Sequence, residues 1–172
     1  MPQSKSRGRS ITLYAAIGTH LSRMVTYLGD HTDTEGYQAF AQQLISELPP
    51  RAPYSRKPVL VCDNARPHYN KKALRMLSPH VNMCFMPPAS CCFNSVETAF
   101  SKIKRAYKSY ITKIALRRDY RREDAVACLN LACELVTPAE QQRLCRANRD
   151  YMNHFLPEDK QFKQNNAAFE PV

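Results

Sequence analysis

The stretch VLVCDN (59–64) limits the possible folds of this chain more than any other. Four apolar residues run together without alternation and end in an Asp-Asn pair. That pattern predicts a short strand buried in a parallel sheet, because strands covered on both faces lose the polar/apolar alternation. The flanking pieces agree. NKKALRML (70–77) reads as a helix that stops before Pro79, and VNMCFMPP (81–88) as a second strand closed by its prolines. Upstream, ITLYAAIG (11–18) and RMVTYLG (23–29) read as a hairpin. GYQAFAQQLISEL (36–48) follows as a helix, with Phe40, Leu44 and Leu48 at helical spacing. PPRAPYSRKP is a loop, and a helix is expected from about 95 to 110. The order β-β-α-β-α-β-α implies an α/β fold with a partly parallel sheet flanked by helices.

The last third is helical. DAVACLNLACELV (124–136) is apolar enough to be buried. TPAEQQRLCRANRDYMNHFL opens on Thr137 as N-cap, Pro138 at the first helical position and Glu140 as a capping-box residue. After Pro157 the sequence is polar. These shifts divide the chain into a core at 7–110, a helical extension at 111–156 and a flexible tail at 157–172.

Composition excludes several classes. The chain has 172 residues, enough to bury a core, and is 44% hydrophobic and 23% charged, which excludes a disordered segment. No apolar run approaches the roughly 18 residues of a membrane span, and MPQSKSRGRS has no apolar core of a secretion signal. The seven cysteines lack metal-ligand spacing, so small thiols in a reducing compartment are expected.

The net charge of +10 is concentrated. Nine basic residues (Lys102, Lys104, Arg105, Lys108, Lys113, Arg117, Arg118, Arg121 and Arg122) lie in one stretch against a single acid, Asp119; nine minus one leaves +8 there. Tyr107, Tyr110 and Tyr120 are interleaved. Such a patch suits a phosphate backbone. The alternative is a solvated helix face, although such faces usually mix both signs.

Two carboxylates invite a chemical reading. Asp63 stands at the C-terminal end of the predicted strand, where ligand sites of open α/β sheets gather. It could equally cap the turn into the next helix. Glu97 follows Asn94 by three residues in NSVETAFSKIK, the spacing of a capping box with Asn94 as N-cap. At 100° per residue, Val96, Phe100, Ile103 and Tyr107 share the packing face. Glu97, Ser101, Lys104 and Lys108 form a stripe beside it. A carboxylate followed by lysines on one stripe could hold a metal and its bound phosphates, or be an ordinary Glu–Lys surface.

Taken in order, these pieces resemble the catalytic core of the mariner-type DDE transposases. The family pattern has an Asp-Asn and a histidine after one strand, a Pro-Pro-x-Ser stretch, Asn-x-x-Glu, and a lysine seven residues beyond the glutamate. Here these fall on Asp63, Asn64, His68, Pro87, Pro88, Ser90, Asn94, Glu97 and Lys104, with Asp63 and Glu97 separated by 34 positions (97 minus 63). The resemblance spans about residues 7–108 and implies an RNase H-like fold that cuts and joins DNA. It implies Mg²⁺ or Mn²⁺ held by three carboxylates, because two cations about 4 Å apart activate the attacking oxygen and stabilise the leaving one. Asp63 and Glu97 would be the second and third ligands, with Asn64, His68 and Asn94 in supporting roles.

The first ligand has no counterpart. In the family it sits on a central strand before an RGR-like bend, and here only MPQSKS precedes that bend. Asp30 and Asp33 follow the strand matching the family's third, two places away, or roughly 10 Å at about 4.8 Å per strand. Without the central strand, either its two neighbours pair directly or their edges stay open for another transposase segment or a second copy. The expected fold is therefore an RNase H-like mixed sheet flanked by helices, lacking the first strand. Three functions remain open: an incomplete, inactive transposase-derived core; an active nuclease completed by another segment; and a non-enzymatic basic nucleic-acid-binding domain. The family suggests the nucleus if the source is eukaryotic, and the cytoplasm otherwise.

Overall fold

The computed structural model describes residues 10–50, 56–87, 90 and 93–155, of which 151–155 as backbone only. The expected RGR bend, residues 51–55 of the 49–58 loop, Pro88, the adjacent Cys91 and Cys92, and the 157–172 tail lie outside the described residues.

Two strands, β1 (Thr12–Ala16) and β2 (Val25–Gly29), pair antiparallel with Tyr14 opposite Tyr27. Helix α1 (Thr34–Glu47) starts two residues before the expected position, because Asp33 is its N-cap and accepts from the Gly36 amide at 2.7 Å. Strand β3 (Val59–Cys62) leads through a 3-10 turn (Arg66–Tyr69) into α2 (Lys71–Leu77), and β4 (Asn82–Phe85) pairs parallel with β3. Pro67 suits the 3-10 turn, where its missing amide costs nothing. Three helices complete the chain: α3 (Ser95–Ala115), α4 (Arg122–Glu134) and α5 (Pro138–Phe155). Helix α3 is 21 residues long and continues five residues beyond the expected end near 110. Nothing between Tyr110 and Ala115 is a Gly or Pro that would stop it.

The result is a mixed α/β architecture with two small sheets flanked by helices. Tyr14, Ala16 and Val25 face α1, where they meet Tyr37, Phe40, Ala41 and Leu44. Leu60 and Met83 join this core from the second sheet, as do Ala73 and Leu77 of α2. The other face of β1 packs Leu13, Ala15 and Ile17 against Ile103 of α3, Ala132 of α4 and Leu144 of α5. The first sheet is thus covered on both faces. Burial of one such side chain contributes about 1.5–3 kcal/mol.

The second sheet is not so covered, and here the sequence reading needs correction. Val59 and Val61 are 44% and 49% exposed, although the unbroken apolar run predicts a strand buried on both faces. Leu60 and Cys62 turn inward and the two valines outward, with no described element over them. The single mixed sheet is also corrected. Among the described residues the strands form two separate two-stranded sheets, β1-β2 and β3-β4, and β1 does not pair directly with β3.

The buried polar residue Gln141 fastens α5 to the hairpin. Its Nε2 donates to the carbonyls of Gly18 (2.7 Å) and Leu21 (2.8 Å). Helix α4 presents Ala125, Cys128, Ala132 and Cys133 inward, but Leu131 and Leu135 remain exposed, so it is amphipathic rather than buried throughout. No helix among the described residues is long and apolar enough to cross a membrane.

Candidate active site

Asp63 follows β3 directly, at the C-terminal end of the parallel pair. Its Oδ1 accepts from the Ala65 amide at 3.0 Å, the turn predicted for an Asp here, and also lies 2.8 Å from His68 Nδ1. The Asp63 carbonyl is 3.1 Å from the same ring nitrogen. Both partners are acceptors, so Nδ1 carries the proton. The His68 ring in turn lies tilted, 4.9 Å from that of Tyr37, a buried residue of α1. Helix α1 thus fixes the ring that fixes the carboxylate.

Asn64 ties the ends of β3 and β4 together. Its Nδ2 donates to the Met86 carbonyl at 2.7 Å, and its Oδ1 accepts from the Tyr69 hydroxyl. Tyr69 lies on Phe85 with ring centroids 4.6 Å apart and planes 10° from parallel. Sequence reasoning passed over Tyr69, because a lone tyrosine beside a histidine carries no spacing signal.

Glu97 is held quite differently. Asn94 is the N-cap of α3, but its Oδ1 accepts from the Val96 amide at 3.3 Å. The capping box is not formed; the Glu97 amide bonds the Asn94 carbonyl at 3.0 Å instead. Among the described residues the Glu97 carboxylate has no hydrogen-bond or ion-pair partner, and the residue is exposed. Ser101, Lys104 and Lys108 on the same stripe are exposed as well, while Ala99 and Ile103 point into the core. What is rigid is the helix itself. Lys102 pairs with Glu140 of α5 at 3.1 Å, and Asn148 Nδ2 donates to the Phe93 carbonyl just before the cap. Arg143 and Lys102 together hold the Glu140 carboxyl down at about 2. That engages Glu140 with cations rather than with the expected capping box, although Thr137 does accept from the Glu140 amide at 3.2 Å.

The basic stretch divides into two groups. Arg118 grips Asp124 through two bonds of 2.7 and 2.8 Å, which lowers the Asp124 carboxyl to about 2, and Arg122 pairs with Asp30. Asp124 also accepts from the Arg121 amide. Lys104, Arg105, Lys108, Lys113, Arg117 and the Arg121 side chain are exposed and pair with no carboxylate among the described residues. Asp30 and Asp33, the two aspartates that follow β2, are occupied by Arg122 and by the α1 cap.

A family model described as DDE superfamily endonuclease matches residues 2–117. The match covers Asp63, His68, Asn94 and Glu97 in one continuous span.

The chain belongs to the DDE superfamily endonucleases.

No curated protein and no solved structure matches it. DDE endonucleases generally use divalent metals and act on DNA. The donors described here do not complete such a centre. Asp63 and Glu97 offer hard oxygen ligands of the right kind. However, one Asp63 oxygen is already engaged by His68 and the Ala65 amide, and no group of three His, Cys, Asp or Glu residues gathers among the described residues.

Proposed function

We propose that this chain is a transposase-derived DDE endonuclease core that acts on DNA and is catalytically incomplete by itself. The observation that carries the reading is Asp63. It stands at the end of a parallel strand, inside the span that matches the family, with its carboxylate oriented by His68 and the Ala65 amide. A carboxylate so oriented is preorganised as a ligand. Glu97, on the first turn of α3, is the second acidic member, and its unpartnered carboxylate is free for a metal or for nothing. Asn64 and Asn94 hold the ends of the strands and helix that carry the two acids. The unpaired cations from Lys104 to Arg121 supply affinity for the phosphate backbone. The overall fold is RNase H-like without its first strand.

The expected behaviour of the chain alone is DNA binding that weakens steeply with salt, and no nicking of supercoiled plasmid in Mg²⁺ or Mn²⁺. Metal-dependent nicking that disappears in Asp63→Asn would refute the incompleteness and show a working site. DNA binding indifferent to salt would refute the phosphate reading.

A second reading, an active nuclease completed by another segment, is favoured by one specific feature. Among the described residues, strands β1 and β3 belong to separate sheets, and each has a bonded neighbour on one side only. An added strand, from another transposase segment or a second copy, would satisfy those edges.

A further inference from the structure

Tyr69 is built as a surface aromatic. One face of its ring lies on Phe85, its hydroxyl donates to Asn64 Oδ1, and the residue is still 48% exposed. A core tyrosine would be covered; this one is clamped at its edge and behind, with the remaining surface open to solvent. The clamp matters because a ring held in advance loses no rotamer freedom when a ligand stacks on it.

The surroundings point to the ligand. Arg66 precedes Tyr69 in the same 3-10 turn, and Lys71 and Lys72 open α2 immediately after it. All three are exposed, and none pairs with a carboxylate among the described residues. Aromatic faces flanked by unpaired cations are how single-stranded nucleic acid is held, with bases on the rings and phosphates on the cations. The neutral base tolerates the neighbouring Asp63 carboxylate, which would repel a phosphate placed there. A protein partner needs a broader apolar surface and has no use for three free cations.

We propose that Tyr69 is a stacking platform for an unpaired nucleobase, with Arg66, Lys71 and Lys72 holding the adjoining phosphates. The inference rests on the reading of the chain as a DNA-acting domain and adds an unpaired strand as the form of DNA bound beside Asp63. Asn64 links the platform to that carboxylate, since it follows Asp63 in sequence and accepts from the Tyr69 hydroxyl.

The test compares wild type, Tyr69→Phe and Tyr69→Leu. Binding of a short oligothymidine strand and of a blunt duplex is measured by fluorescence anisotropy, in EDTA and at fixed salt. A 2-aminopurine in the single strand reports stacking. Tyr69→Leu keeps apolar bulk on Phe85 but has no aromatic face, so single-strand affinity falls about 5- to 150-fold. Duplex affinity changes by less than about threefold. Tyr69→Phe retains the stacking face, so it binds like wild type and still quenches the 2-aminopurine. A leucine variant that binds the single strand like wild type overturns the platform while leaving the DNA reading intact. So does a phenylalanine variant as weak as leucine, or an equal loss on both DNAs. Wild type that binds neither DNA refutes the DNA-acting reading itself. Cleavage and its dependence on Asp63 are read separately, in the plasmid assay.

Discussion

Asp63 and Glu97 should differ sharply in what the fold loses without them. Asp63→Ala removes the bond to the Ala65 amide and the contact with His68 Nδ1. The turn bond is worth about 0.5–1 kcal/mol. The His68 contact is discounted for solvent, because the Asp63 side chain is 45% exposed, and contributes about 1 kcal/mol. The sum is about 1.5–2 kcal/mol. For a chain of this length each kcal/mol shifts Tm by about 2–4 °C, so Asp63→Ala should melt roughly 3–8 °C lower. Glu97→Ala removes a carboxylate without a partner. Only its interaction with the α3 dipole is lost, about 0.3–0.5 kcal/mol at an exposed position, and alanine's helix propensity offsets part of that. Its Tm should stay within about 2 °C of wild type.

The assay is thermal unfolding followed by circular dichroism in EDTA, with urea titrations to confirm that the slopes match. Asn94→Ala is the internal standard: it removes the bond to the Val96 amide, at 3.3 Å a long one, and should cost about 0.5–1 kcal/mol. If Glu97→Ala melts as low as Asn94→Ala, the glutamate does cap its helix and the reading of an unengaged carboxylate is wrong. If Asp63→Ala melts at or above wild type, the His68 contact is not holding that carboxylate, and the argument for preorganisation goes with it.

Other consequences can be measured on the same protein. Gln141→Leu deprives the Leu21 carbonyl of its donor, whereas Gly18 keeps a bond from the Leu21 amide; the expected loss is about 1–3 kcal/mol in urea, and a loss under about 0.5 kcal/mol would refute the role of Gln141 as a fastener. The Asp124 carboxyl is held at about 2, below its ordinary 3.8, so the Arg118–Asp124 pair contributes fully above about pH 4 and is lost as pH falls toward 2. Asp124→Asn should therefore be less stable than wild type near neutrality and converge with it at about pH 2; a constant difference across that window would contradict the pairing. Burial raises the Cys62 and Cys133 thiols to about 11, while Cys84 is exposed. Iodoacetamide at pH 8 should label Cys84 while Cys62 and Cys133 stay protected until urea unfolds the chain, as peptide mass mapping would show.

Much of this fold is legible in local sequence, because local signals dominate where an element is short and its cap is adjacent. The β3–α2–β4 unit follows from an unbroken apolar run, a proline stop and a second run. Asn94 is recognisable as an N-cap from its position alone. Other features depend on distant residues and leave no local trace. Whether an apolar strand is covered on one face or two depends on what packs over it, so Val59 and Val61 read as buried and are not. Arg122 and Asp30 are 92 positions apart, and their pairing removes one cation from the unpaired set. The stop of α3 at Ala115 rather than near 110 follows from the absence of a breaker, which is weaker information than a breaker's presence. Glu97 shows the limit most clearly: the spacing fits a capping box, yet the Asn94 side chain selects the Val96 amide and leaves the carboxylate open.

Tyr37 explains how Asp63 keeps its place although no strand bonds the two sheets together. Its ring lies 6.3 Å from that of Tyr14 on β1 and 4.9 Å from that of His68, and its phenol feels the Cys62 thiol of β3 electrostatically. Burial pushes its phenol well above the ordinary value, so it stays neutral at any physiological pH. One residue of α1 therefore sits against both β1 and the histidine that orients the candidate ligand. Among the described residues, side-chain packing rather than a backbone ladder joins the two sheets. Packing holds the two sheets to a common helix, but it leaves the strand edges without partners and brings no third carboxylate beside Asp63 among the described residues.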